Sequence, residues 1–230
     1  MIIVYWKLFE KIYSMIKENY KMLLFDLGGV IIDIDPSRTE NEFRKISNKS
    51  DSKFKGLDYR NEKHSSELIT MFFNYEQGLL TDSEFRDGIR KIGGIDRNDE
   101  EIDEIWNLVI LKINKSVLEL IIKLKKKYSI MVLSNTNNIH RVYFDLLTEK
   151  IFKNNFSVLF DKVFYSYEMS CRKPDKIIYD KVVDSSGFRA NDIIFFDDMK
   201  ENIMAAENNG MNTYHVKNKK EFKDYLSTLL

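Results

Sequence analysis

Apolar and polar positions follow two rhythms along the chain, and each change of rhythm marks a change of element. Five short apolar runs, at 22–25, 130–133, 162–165, 193–196 and 212–216, read as buried strands. A strand covered on both faces shows no polar side, so parallel strands read as continuous runs rather than alternating ones. From the second run onward, helical patterns fall between them. Ser116 and Glu119 have capping-box spacing ahead of Leu118, Ile121, Ile122 and Leu124. Pro174-Asp175 opens a helix carrying Ile178 and Val182, and a last helix carries Phe222, Tyr225, Leu226 and Leu229. Strands alternating with helices predict an α/β fold built on a doubly wound parallel sheet.

Residues 36–112 break the alternation. They show helical periodicity and no strand signal: Phe43 and Ile46 share one pattern, and Leu68, Phe72 and Tyr75 another. Thr81 with Glu84 forms a capping box before Phe85 and Ile89, and Ile102, Ile105, Trp106, Val109 and Ile110 form an amphipathic stripe. The division expected is a core over 21–35 and 113–230, with an all-helical cap domain over 36–112 inserted into it as a lid. The acidic run from Asp96 to Glu104 reads as the solvated start of the last cap helix, where negative charge suits the helix dipole. In residues 1–20 the apolar stretch precedes the charges, the reverse of a signal peptide. Trp6, Phe9, Tyr13, Ile16 and Tyr20 recur at helical steps, which predicts a helix packed on the domain or on a second subunit of a homodimer, with a membrane-surface helix or a disordered leader as the alternatives.

Composition narrows the function classes. Lys+Arg and Asp+Glu are 36 each, so no net positive charge favours nucleic acid. A hydrophobic fraction of 43% excludes global disorder. The single Cys excludes an intrachain disulfide or a cysteine metal cluster and fits a reducing, cytoplasmic setting. No apolar run reaches the length of a membrane span.

The candidate chemistry lies at the strand ends, where open α/β sheets bind ligands. The first strand ends in Asp26-Leu27-Gly28-Gly29, the second in Ser134-Asn135-Thr136-Asn137 and the fourth in Asp197-Asp198; Cys171-Arg172-Lys173-Pro174-Asp175 follows the third. Carboxylates without His or Cys suit Mg²⁺ rather than Zn²⁺. An Asp in such a setting can attack phosphorus. Lys173 can hold a phosphate as a point charge, and Ser134 and Asn135 can donate hydrogen bonds to its oxygens. Cys171 has no base partner in the sequence, and His64, His140 and His215 are scattered; His140 follows the second motif and is read as a helix-surface residue, with a substrate contact as the alternative.

FDLGGVIIDID, LSNTN, CRKPD and FFDDMKEN together resemble the four motifs of the haloacid dehalogenase superfamily, in its phosphatase branch with a helical cap. The resemblance runs from about residue 21 to the end of the chain. It implies that Asp26 is the nucleophile, Ser134 the phosphate-binding hydroxyl and Lys173 the motif lysine. Asp198 is implied as a Mg²⁺ ligand, Asp197 as a ligand or water-bridged neighbour, and the Gly28 carbonyl as a further metal contact. Asn202 takes a position where many members carry another acid, without a direct metal contact of its own.

The sequence departs from the family at Gly28, where the usual motif has a second Asp as general acid/base. Three readings follow. The substrate can have a good leaving group, as in an anomeric sugar phosphate, an acyl phosphate or an aryl phosphate. Another acid can substitute, with Asp33, Asp35 and Glu76 as candidates. Or the activity is low. The first is favoured, because the motif wording resembles a bacterial subgroup acting on α-glucose 1-phosphate that also lacks this Asp. The expected function is therefore Mg²⁺-dependent hydrolysis of a small phosphorylated metabolite, a sugar phosphate, with Tyr75, Glu76 and Arg86 as candidate cap contacts, although the helical stripe also accounts for Tyr75 as core. The alternatives are a metal-independent 2-haloacid dehalogenase, a sugar phosphomutase and a non-catalytic binding protein on the same scaffold.

Overall fold

The computed structural model describes residues 20–49, 54 and 67–230; apart from Tyr20, the leader or helix expected over 1–20 lies outside them, as does His64. The chain runs from β1 (Met22–Phe25) through a short strand, β2 (Ile32–Ile34), into the helices α1 (Pro36–Ile46), α2 (Glu67–Glu76), α3 (Asp82–Gly93) and α4 (Asp99–Asn107). It returns along β3 (Ile110–Ile113). The remainder alternates: α5 (Lys115–Leu124), β4 (Ser129–Ser134), α6 (Asn138–Phe152), β5 (Lys162–Tyr165), the single turn α7 (Ser166–Met169), α8 (Lys176–Ser186), β6 (Ile193–Asp197), α9 (Lys200–Asn208), β7 (Asn212–His215) and α10 (Lys219–Leu229).

The main sheet has five strands in the order β5-β4-β1-β6-β7, and every adjacent pair is parallel. From β1 the chain builds outward through β4 to β5, then crosses back to place β6 on the other side of β1. The order therefore reverses at β1, and its carboxyl end opens the crevice where such sheets bind ligands. Successive side chains of the central strands point to opposite faces, and both faces are covered. Leu23, Phe25, Ile130, Val132, Ile194 and Phe196 enter one apolar cluster, while Met22, Leu24, Met131, Leu133, Ile193 and Phe195 enter another. Burial of each such side chain contributes about 1.5–3 kcal/mol, which explains the unbroken apolar runs.

The helices between β2 and β3 have their own core. Phe85 stacks on Tyr75 at 4.2 Å and lies 4.8 Å from Trp106, with Phe43, Leu68, Phe72 and Ile102 around them. Thr81 and Glu84 form the expected capping box on α3, and Asn98 and Glu101 form another on α4.

Two local readings are corrected. The amphipathic stripe does not continue as helix through Ile110: α4 ends at Asn107, and Ile110–Ile113 pairs antiparallel with β2. The two passages between sheet and helices are thereby clasped together. Ser116 does not cap α5 either; Asn114 does, accepting from the Val117 N–H at 3.3 Å.

Candidate active site

The four strand-end clusters meet in one cleft lined by Asp26, Gly28, Ser134, Lys173 and Asp198 from the sheet side and by Thr39, Phe72, Glu76 and Trp106 from the helical side. Asp26 follows β1 directly, and its N–H donates to the Phe196 carbonyl at 2.8 Å, extending the β1–β6 ladder to the residue that carries the carboxylate. The next turn folds back through hydrogen bonds from Ile31 and Ile32 to the Leu27 carbonyl. Gly29 is required there twice over. Its φ is +71°, and a Cβ would come within 2.2 Å of an Asp198 carboxylate oxygen.

Lys173 is the electrostatic centre. It is 1% exposed, and its Nζ donates to the Leu133 carbonyl at 3.1 Å and to Asp197 Oδ2 at 2.7 Å. It also lies 2.7 Å from Asp26 Oδ1, so three ammonium protons meet three acceptors. Asp197 is fully buried and occupied: Oδ1 accepts from the Met199 N–H at 2.7 Å, and the Asn202 amide donates to both oxygens. Asn135 clamps the lysine from behind, accepting from the Lys173 N–H at 2.8 Å and donating to the Lys173 carbonyl at 2.9 Å. The Asn135 side chain thus holds Lys173 rather than facing the cleft with a free amide. Ser134 lines the cleft, and its hydroxyl makes a long 3.4 Å contact with the neighbouring Asn135 carbonyl.

Asp26, Asp197 and Asp198 each bring a carboxylate oxygen within 4.8 Å of the others. Burial pushes the Asp26 carboxyl well above its ordinary range; Lys173 opposes this, and the two other carboxylates add to it. Burial works against the charge of Lys173 too, but Asp197 and Asp26 hold its pKa above the usual lysine value. A cluster of hard oxygen donors with an excess of negative charge fits a divalent cation such as Mg²⁺.

The helical side differs from the sequence reading in several places. Tyr75 takes the core position that its helical stripe also allowed rather than a contact in the cleft, donating to Asp82 Oδ1 at 2.6 Å. Arg86 does not reach the cleft; it grips Asp103 across two hydrogen bonds of 2.7 and 2.8 Å and ties α3 to α4. Part of the acidic run therefore pairs within the fold instead of being merely solvated. His140 is not a surface residue: its ring stacks on Trp106 at 4.8 Å and lines the cleft. Nε2 lies 3.1 Å from the Trp106 carbonyl and Nδ1 3.1 Å from the Asn137 amide nitrogen. Burial lowers its pKa to about 4, and the amide donor facing Nδ1 leaves no acceptor there for a second ring proton.

Trp106 was legible only as part of a helical stripe, and Thr136 only as part of the second motif. Lys219 carried no functional signal; its Nζ binds the Gly29 carbonyl and, at 2.7 Å, the Val30 carbonyl, fixing the turn after β1. Among the described residues, no helix is long and apolar enough to cross a membrane.

The chain is similar to proteins of known family along most of its length. D-ribitol-5-phosphate phosphatase of Bacteroides thetaiotaomicron is 27% identical over 213 residues, covering 91% of this chain and 98% of that protein. A HAD family enzyme of Bacteroides thetaiotaomicron, solved in complex with magnesium and inorganic phosphate, is 34% identical with a TM-score of 0.74, covering 85% of this chain and 93% of its own. A Porphyromonas gingivalis protein described as a predicted HAD-like family hydrolase superposes with a TM-score of 0.78 at 22% identity, covering 91% of this chain and 97% of its own, a likeness of fold. The haloacid dehalogenase-like hydrolase profile matches residues 20–210, and the chain belongs to that family.

Proposed function

We propose that the chain is a Mg²⁺-dependent phosphatase of a small sugar or polyol phosphate, with Asp26 forming an aspartyl-phosphate. It is a phosphoric monoester hydrolase by its family and by its similarity to a phosphatase. One observation carries the mechanistic reading: Asp26 is a buried carboxylate at the carboxyl end of the central strand, with Oδ1 held by Lys173 and two more carboxylates within 4.8 Å.

On this reading each residue has a role that the geometry supports. Lys173 orients Asp26 and balances its charge, and Asp197 and Asn135 hold Lys173 in turn. Ser134, whose hydroxyl lines the cleft, binds a phosphate oxygen. Asp26, Asp198 and the Gly28 carbonyl would hold magnesium, which when bound offsets charge on the phosphate and favours attack by an anionic carboxylate. The helical side of the cleft excludes bulk water and recognises the alcohol portion. A metal-independent haloacid dehalogenase fits less well, because three clustered carboxylates would repel its anionic substrate without a cation. The single cysteine supports a cytoplasmic setting.

The test is phosphate release by purified protein, with Mg²⁺ or with EDTA. The panel is D-ribitol 5-phosphate, α-glucose 1-phosphate, an acyl phosphate, a nucleotide and p-nitrophenyl phosphate. Mg²⁺-dependent release that Asp26→Asn reduces to background is expected. Undiminished turnover in that variant would overturn the nucleophile assignment, and no release from any compound would favour a binding protein.

A further inference from the structure

Gly28 leaves the cleft without the family's usual acid, and the three candidate substitutes meet different fates. Asp33 is drawn to Lys112 at 3.8 Å and Lys219 at 3.6 Å, outside the cleft lining. Asp35 caps α1, accepting from the Ser37 N–H at 3.1 Å and the Ser37 hydroxyl at 2.6 Å. Glu76 alone of the three lines the cleft. Among the described residues, the carboxylates lining it are Asp26, Asp198 and Glu76, and the first two belong to the nucleophile and metal cluster.

Glu76 is also held in place. It ends α2 and is 8% exposed. Arg172, directly before Lys173, reaches it with Nε and Nη2, each at 3.1 Å and each on the same oxygen, Oε2. No described residue hydrogen-bonds Oε1. The Arg172 guanidinium in turn lies 3.9 Å over the Phe73 ring. The turn after α2 is seated on α7 so closely that a Cβ at Gly78 would come within 2.1 Å of the Tyr167 carbonyl. Glu76 thus projects from the helical side but is fixed to the segment that carries Lys173.

We propose that Glu76 is the general acid/base of this enzyme, taking the role that Gly28 cannot fill. This rests on the phosphatase reading above. In the first step, a carboxylate oxygen of Asp26 bonds to phosphorus. The bond from phosphorus to the ester oxygen breaks, its electron pair stays on that oxygen, and the oxygen takes the proton from Glu76 Oε1. In the second step, Glu76 as carboxylate removes a proton from water while the water oxygen bonds to phosphorus. The Asp26–phosphorus bond breaks, its pair returns to the Asp26 carboxylate, inorganic phosphate leaves, and Glu76 is protonated again. Burial raises the Glu76 pKa, opposed by Arg172 and, more weakly, by Lys173, so a protonated form is retained above the ordinary carboxyl range. His140, the imidazole in the cleft, has its Nε2 facing the Trp106 carbonyl and its Nδ1 facing the Asn137 amide, which leaves it unsuited to the same task.

A general acid matters most when the leaving oxygen is basic, which gives a readout that a structural salt bridge would not move. Glu76→Gln keeps the hydrogen bond to Arg172 and removes the proton. With D-ribitol 5-phosphate, a primary alkyl ester, kcat is expected to fall by about 10²–10⁴-fold. With p-nitrophenyl phosphate, whose leaving group needs no proton, the first step is expected to stay within a few-fold in single-turnover measurements. Asp26→Asn loses both, so failure of the phosphatase reading is distinguishable. In the unmodified enzyme, the ratio of alkyl to aryl single-turnover rates should fall as pH rises and Glu76 ionises, a measurement independent of how the variant folds. Equal losses on the two esters, or an alkyl-to-aryl ratio independent of pH, would overturn the assignment.

Discussion

The sheet end and the helical end of the cleft are built by opposite means. At the sheet end, four loops leave parallel strands, and polar groups are held by one another: Lys173 between Asp26 and Asp197, Asn202 on Asp197, and Asn135 on the Lys173 main chain. At the helical end, Phe72, Trp106, Val109 and Ile34 offer apolar surface, and a single carboxylate, Glu76, stands among them. Under the proposed function, the first end would grip the phosphate that all phosphomonoesters share. The second would then meet the part of the substrate that varies. Selectivity and leaving-group chemistry would, on the same proposal, belong to the helical side, and nucleophilic chemistry to the sheet.

The strongest test of this division removes the centre of the polar end. Lys173→Met should eliminate turnover on every ester and destabilise the fold by about 3–5 kcal/mol, because it leaves buried carboxylates without their cation. Urea unfolding would measure this, and Lys173→Met combined with Asp197→Asn should recover part of the loss. A Lys173→Met protein as stable as the parent would show that the buried network is not what shapes the sheet end.

A smaller effect should appear where the two ends meet. His140 is held at a pKa of about 4 against an ordinary value near 6.5. A folded pKa depressed in this way means that the unfolded chain binds more protons between those values. The His140 contribution is present above pH 6.5 and is lost as pH falls toward 4. His140→Gln should flatten the dependence of unfolding free energy on pH in that window while leaving the contribution of the carboxylates. An unchanged slope would show that the stack on Trp106 tolerates the charged ring.

The smallest effect should be confined to the helices. Thr81 accepts from the Glu84 N–H at 3.2 Å and closes the capping box of α3. Thr81→Ala should cost about 1 kcal/mol of stability, read by thermal or urea unfolding, with kcat on p-nitrophenyl phosphate unchanged. A loss of aryl turnover in Thr81→Ala would mean that the two ends are coupled more tightly than their separate cores suggest.

Legibility in the sequence followed the same division. Asp26, Ser134, Lys173, Asp197 and Asp198 stood out because each follows an apolar run, and a parallel sheet brings strand ends together whatever the details of packing. The strands β1 and β5 have the bounds their apolar runs predict; in β1 every residue is buried, and continuous burial on two faces leaves a local signature. β3 has none of comparable strength. Its middle residues, Leu111 and Lys112, are exposed, and its partner β2 lies far away along the chain, so only the assembled fold distinguishes Ile110 as strand from Ile110 as the end of a helical stripe. Asn114 and Ser116 are both good helix caps, and the choice between them rests on where α5 meets the β2–β3 pair.

The sequence by itself determined the family, the parallel sheet and the polar residues at its edge, because strand burial and motif spacing are local properties of the chain. Tertiary structure alone decided which of Asp33, Asp35 and Glu76 lines the cleft, why Arg86 serves the helices instead of the cleft, and why His140 lies against Trp106. Each of those outcomes depends on which residues from distant elements become neighbours, and a side chain's ionisation and availability are set by those neighbours rather than by its position in the chain.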